Sequence, residues 1–277
     1  MIRLTINNII LWTILIGIFF IPFNSWSGIG FLGEYYRDSC FLFFSFAFVL
    51  IILKKRIQIP LNNLIFHFLI LFILWSFLAT LLNAHNIFDY YFKQTTGIAR
   101  FINQFGSLII ASLIIPLTFY NGFKKINIKN IFRLIRRVIL ASLIIAFIYS
   151  IIEILIVKLN MVYLKKPLLN LFDYFPFTEA KTDMRLQRIS SVTFEPPALG
   201  TYLLSIAGWM FSYVLTEKNK LKYFPLIIVL FLGFMSGSRA AFFAIIMQFM
   251  IALFLFVKHK NSSKNIYKIL LGFSVIS

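Results

Sequence analysis

The chain has 277 residues, 60% hydrophobic, 18% aromatic and only 13% charged, with a mean hydropathy of +0.89; soluble domains run roughly 45–50% apolar and 25% charged, so a water-soluble globular fold is excluded. The formal net charge of +18, from 27 Lys and Arg against 9 Asp and Glu, would suggest nucleic acid in a soluble chain, but here the positive residues form short clusters between apolar runs, a pattern of membrane topology. The single cysteine, Cys40, excludes an internal disulfide.

Crossing about 30 Å of hydrocarbon takes around 20 mostly apolar residues. In chain order the sequence offers such runs at approximately 7–23, 39–53, 64–82, 102–119, 138–157, 200–216, 223–236 and 239–257, and a ninth begins near Ile269. The expected fold is an all-α integral membrane protein, a polytopic helical bundle of eight complete transmembrane spans plus the start of a ninth, in a single membrane domain over 1–277. The first run ends in Phe20-Ile-Pro-Phe-Asn-Ser-Trp26 without a small-residue cleavage site, so it reads as a retained span. In the connection 24–38, the spacing of Gly28, Gly30 and Gly33 only superficially resembles a nucleotide fingerprint, because the strand and soluble helix that such a motif needs are missing. The connection 83–101 carries His85, Asp89, Lys93, Gln94 and Arg100 among Tyr90, Tyr91 and Phe92, a composition usual for an interfacial aromatic belt. No His, Cys, Asp or Glu cluster has metal-ligand spacing, so no metal is expected.

Within 126–137, Ile128, Ile131, Phe132 and Ile135 recur at i, i+3, i+4 and i+7 while Lys125, Lys129, Arg133 and Arg137 recur every four residues. That periodicity predicts a basic amphipathic helix lying on an anionic leaflet. The connection 158–199 runs to about forty residues, a length that favours a lid or binding loop. Its stretch Leu168-Leu-Asn-Leu-Phe-Asp-Tyr-Phe-Pro-Phe177 is too apolar for free solution and too short to span, so it is expected at the interface, with its rings against lipid or stacked on sugars.

Basic clusters at Lys54-Lys55-Arg56, at 124–137 with six, at Lys218, Lys220 and Lys222, and at Lys258, Lys260, Lys264 and Lys268 hold, with Arg3, 17 of the 27 positive charges. Alternation of eight spans puts them all on one side, which the positive-inside rule makes the cytoplasm, N-terminus included. Glu34, Asp38, Asp89, Asp173, Glu179, Asp183 and Glu195 fall on the opposite side, while Glu217 is cytoplasmic and Glu153 lies within a span. Carboxylates barely influence insertion, so their bias puts the polar chemistry on the outer face.

Two stretches there specify chemistry. Pro196 and Pro197 start a helix, since proline fits its first turn, and leave Glu195 at the N-cap. Glu195 is then either a carboxylate set against the helix dipole or a general base for a hydroxyl, with Arg188 nearby. Arg239 lies between two apolar runs after Met235-Ser-Gly-Ser238, where an arginine either snorkels to headgroups or marks a site. With Ser236, Ser238 and the following helix N-terminus it would make an anion site suited to phosphate.

The order Arg188-Ile-Ser-Ser-Val-Thr-Phe-Glu-Pro-Pro-Ala-Leu-Gly-Thr-Tyr-Leu203 at the end of a large outer loop, then Ser236-Gly-Ser-Arg-Ala-Ala241 two spans later, resembles the O-antigen polymerase and ligase superfamily, the Wzy and WaaL types. In motif the likeness covers about 180–257, and the Phe-Glu-Pro form at Phe194 to Pro196 is similar to the polymerase type. The resemblance implies a glycosyltransferase of the bacterial inner membrane that works without metal or cofactor, polymerising oligosaccharide repeat units carried on undecaprenyl pyrophosphate into O-antigen or capsular polysaccharide. By that resemblance Glu195, Arg188 and Arg239 are the catalytic candidates, and Arg185, Ser236, Ser238, Lys93 and Arg100 the candidate substrate-binding residues. Implied partners are the lipid-linked oligosaccharide, membrane lipid, a chain-length regulator and other polysaccharide assembly proteins, with no nucleic acid. Family members run beyond this length, and this chain stops inside its ninth apolar run, which predicts a truncated product. The alternatives are a ligase of the same superfamily and a flippase for the same lipid-linked sugars, though a transporter would show internal repeats and midplane polarity.

Overall fold

A computed structural model describes residues 6–29, 35–54, 57–88, 91–92, 95–124, 126–161, 163, 175–179 and 188–260. The regular structure of the described residues is almost wholly helical. Its helices are α1 (Ile6–Phe19), α2 (Cys40–Leu53), α3 (Leu64–Leu82), the short α4 (Ala84–Phe88), α5 (Gly97–Ile109), α6 (Ile115–Phe123), α7 (Ile128–Val157), α8 (Pro196–Thr216), α9 (Phe224–Met235) and α10 (Arg239–Lys260). The exception is a two-residue antiparallel pairing of Tyr91–Phe92 with Thr95–Thr96. The all-α expectation therefore holds. Among the described residues, four helical stretches are long and apolar enough to cross a membrane, namely Leu64–Leu82, Gly97–Phe123, Ile128–Val157 and Pro196–Thr216. At the other expected spans the helices are shorter or less uniformly apolar: α1 and α2 have 14 residues each, and the 12 residues of α9 rise only about 18 Å.

Two compact units are formed, Met1–Ser142 with Phe172–Ala180, and Leu143–Leu171 with Lys181–Ser277. In the first, α1 packs on α2 and α6 through glycines: a Cβ on Gly17 would stand 2.5 Å from the Phe44 ring, and one on Gly122 2.3 Å from Ile14. Phe175 lies 5.0 Å from Phe23 and Phe177 5.2 Å from Phe20, ring centre to ring centre. These two aromatics of the long connection, both half-buried, thus join the end of α1, while residues 168–174 of the same apolar stretch lie outside the described residues. Ser25 and Ser27 hold the same strip, since the Glu179 amide donates to Ser25 Oγ (2.9 Å) and the Ser27 amide donates to Glu179 Oε1 (2.7 Å).

Helix α3 buries only Phe66 and Ile73 of its 19 residues. An apolar helix exposed on nearly every side needs a hydrocarbon surround, because water would charge roughly 25 cal/mol for each Å² left bare. From Gly97 to Phe123 the helix widens into one π turn at Ile110–Ile114. Pro116 follows directly, and its missing N–H leaves the regular ladder one donor short.

The basic segment near 126–137 is not a separate surface helix. It is the first third of α7, unbroken for 30 residues or about 45 Å. Ile128 and Phe132 are exposed there, as lipid contact requires, whereas Arg136 is 6% exposed, with its guanidinium 5.7 Å from the Phe132 ring centre.

Candidate functional site

In the second unit α8 presents Leu199, Leu203, Ile206, Met210 and Val214, a three-and-four spacing, as a buried stripe against α9 and α10. Gly200, one turn into α8, lets the helix approach the start of α10, since a Cβ there would meet Ala241 Cβ at 2.8 Å and Ser238 Oγ at 3.2 Å. The N-terminal turns of α8 and α10 are thereby side by side; α10 contributes partial positive charge from its opening amides, whereas the two prolines that open α8 have none to give.

The turn between α9 and α10 is built by three residues. Ser236 caps α9, its amide bonded to Leu232 O at 2.8 Å, and Gly237 takes the left-handed conformation (φ +66°) that ends a helix without a Cβ penalty. Ser238 then starts α10, its carbonyl accepting from Phe242 at 3.0 Å. The Ser236 hydroxyl is fully buried; it donates to Gly233 O (2.8 Å) and accepts from the Ser238 amide (3.3 Å). Expected as a phosphate contact, Ser236 is instead turned inward and shapes the turn, leaving Ser238, half-buried, and Arg239, exposed, on its open side. Arg239 is the first residue of α10, which has no acidic residue in its first turn. A cation there works against the helix dipole by roughly 0.3–1 kcal/mol, so the position concentrates positive charge at a cost to the helix.

Arg188 comes to this turn from the other motif. Its Cγ and Nε lie 3.0 Å, and its Cδ 3.2 Å, from where a Cβ on Gly237 would stand. Gly237→Ala therefore meets two obstacles, a left-handed backbone costing about 1–2 kcal/mol and a clash with the Arg188 side chain. Its unfolding midpoint in SDS should drop, while Gly208→Ala, where a Cβ meets nothing within 4 Å, should match or exceed the wild type. Equal stability of both variants would mean that the turn and Arg188 are not packed this way.

Arg188 owes its position to a carboxylate that the sequence reading left without a role. Glu153, on α7, is 1% exposed. The Ser190 amide donates to both of its oxygens at 3.0 Å, the Ser191 amide to Oε2 at 2.6 Å, and the Ser190 hydroxyl to Oε1 at 3.2 Å. Ser191, forced to φ +56°, donates its hydroxyl to Ala146 O at 2.6 Å, two turns back on α7. The Thr193 hydroxyl lies 2.7 Å from Ser190 O and 2.9 Å from Glu195 O, drawing the segment into a turn. Residues 190–195 are thus clamped to α7. The signal was present in the sequence as a lone carboxylate inside an apolar run, but its partners are backbone amides, which no residue type announces.

Glu195 is the N-cap of α8, as expected from the two prolines, yet its side chain makes no capping hydrogen bond and is exposed. An N-cap oxygen normally accepts from the second or third helical amide. Pro197 occupies the second position and has no N–H, which removes one of the two usual donors to a capping carboxylate.

Of the remaining candidates, Arg185 and Lys93 lie outside the described residues. Arg100 belongs to the first unit, beside a shallow pocket with Thr80, Asn86 and Gln104. Among the described residues no three His, Cys, Asp or Glu gather as a metal-holding group. No family model, curated protein or solved structure matches this chain.

Proposed function

We propose that the chain is a membrane glycosyltransferase of eight spans with a cytoplasmic N-terminus, polymerising undecaprenyl-pyrophosphate-linked oligosaccharide repeat units on the outer face of the bacterial cytoplasmic membrane. The observation that carries this reading is the packing of Arg188 against Gly237, which joins the motif around 188–203 to the motif around 236–241 in one patch. The likeness of those motifs to O-antigen polymerases supplies the substrate class.

In this reading an acceptor sugar hydroxyl attacks the anomeric carbon of the growing chain, and the bond to the pyrophosphate oxygen breaks with its electron pair. Negative charge develops on the departing pyrophosphate. Arg188, Arg239 and the amides opening α10 stabilise it, and such pre-aimed donors are worth most where water is scarce. Glu195, exposed and uncommitted to the helix cap, takes the acceptor's proton.

The test is incubation of the purified chain in lipid nanodiscs with lipid-linked repeat units, resolving products on a gel. A ladder of longer chains is expected, and none under conditions where a known polymerase extends the same substrate would overturn the reading. Arg188→Lys and Arg239→Lys should each lose most of the ladder, because an ammonium cannot reproduce the planar fork that pairs with pyrophosphate oxygens. Wild-type ladders from both lysine variants would assign these arginines to packing or lipid contact.

A further inference from the structure

We propose that the first unit carries a separate phosphate-binding cavity, formed where α1 begins and α2 and α6 end, which takes the headgroup phosphate of an anionic lipid or a soluble phosphate. The cavity measures about 320 Å³ and is lined by Asn7, Lys54, Gln58, Asn121 and Lys124 above an apolar floor that includes Ile10 and Ile51.

Its frame is fixed by hydrogen bonds within the protein. Asn121 accepts from the Gln58 amide (2.8 Å) and donates to the Gln58 carbonyl (3.1 Å) and to Leu117 O (2.9 Å), fixing the segment after α2 to the last turns of α6. The Lys54 ammonium donates to the Asn7 side-chain oxygen and that of Lys124 to the Gln58 side-chain oxygen. Each ammonium has three donors, so both keep capacity for an anion.

Among the described residues no carboxylate lines the cavity, and Glu179 is held at Ser25 and Ser27, beyond the other end of α1. The sequence has no Asp or Glu from 1 to 33, from 39 to 88 or from 90 to 152. Asp38 stands at the opposite end of α2 from Lys54, with 14 helical residues, or about 21 Å, between them. The C-termini of α2 and α6 contribute roughly half a negative charge each and the N-terminus of α1 about half a positive one. Two ammoniums therefore leave the site net positive. Amide and ammonium donors over an apolar floor, with no carboxylate, suit a phosphate oxyanion whose acyl chains lie along the helices.

The proposal is independent of any transferase activity. The purified full chain would be passed through detergent exchange with phosphatidylglycerol or phosphatidylcholine, and retained lipid measured by native mass spectrometry, with and without inorganic phosphate. Selective phosphatidylglycerol retention that inorganic phosphate does not displace identifies a lipid site, and displacement, or binding of inorganic phosphate alone, identifies a soluble phosphate ligand. In either case the Lys54→Gln/Lys124→Gln pair should weaken binding roughly 30-fold, from about fivefold for each lysine near an anionic surface. Lys54→Arg/Lys124→Arg should restore it, which separates lost charge from lost folding. Wild-type binding by the glutamine pair, or an equal loss in Lys218→Gln/Lys220→Gln, would overturn the proposal.

Discussion

Glu153→Ala should be strongly destabilising to the second unit. The substitution strands the Ser190 and Ser191 amides, both directed at a carboxylate that is 1% exposed. A buried donor left unsatisfied costs about 1–3 kcal/mol, so the sum should reach about 3 kcal/mol or more, with a further term for the cavity. Glu153→Gln should fall between the two, since its carbonyl oxygen can still accept from one amide while its NH₂ opposes another. The measurements are the SDS unfolding midpoint and protease sensitivity of residues 188–195. Those residues should become cleavable in the alanine variant, because Ser191 then loses a restraint on its strained backbone. Unchanged stability with a protected segment would show that Glu153 does not hold the loop.

For Glu195→Gln the expected result is a chemical step slowed by roughly 10²–10⁴, the range of acid and base groups, in a protein that inserts and accumulates normally. Stability should move by no more than about 1 kcal/mol, because the side chain makes no capping bond and only its charge interacts with the helix dipole. This separation of rate from stability is what distinguishes a proton acceptor from a cap. The assay is conversion of lipid-linked repeat into longer chains. Near-normal polymer formation would remove Glu195 from the chemistry and leave the arginine patch as the supported part of the site.

Helices at all eight apolar runs were legible in the sequence, and Leu64–Leu82 matches its predicted bounds. Hydropathy reports the solvent a segment needs, and that requirement is local. Glu195 as the N-cap was legible for the same reason, since two prolines constrain only their own turn. The fusion of the basic segment with α7 was not, because amphipathic spacing is the same whether a helix stops or continues. Nor was the inward turn of Ser236, which depends on how α9 ends rather than on what a serine can bind.

By itself, the sequence determined an apolar, helical membrane protein, the approximate places of its helices, and two motifs rich in phosphate-binding residue types. The tertiary structure decided which of those residues meet: Arg188 against Gly237, Gly200 against Ser238, and Glu153 beneath Ser190 and Ser191. Those meetings depend on close backbone approach and on amide donors common to every residue except proline, so neither hydropathy nor residue type could announce them.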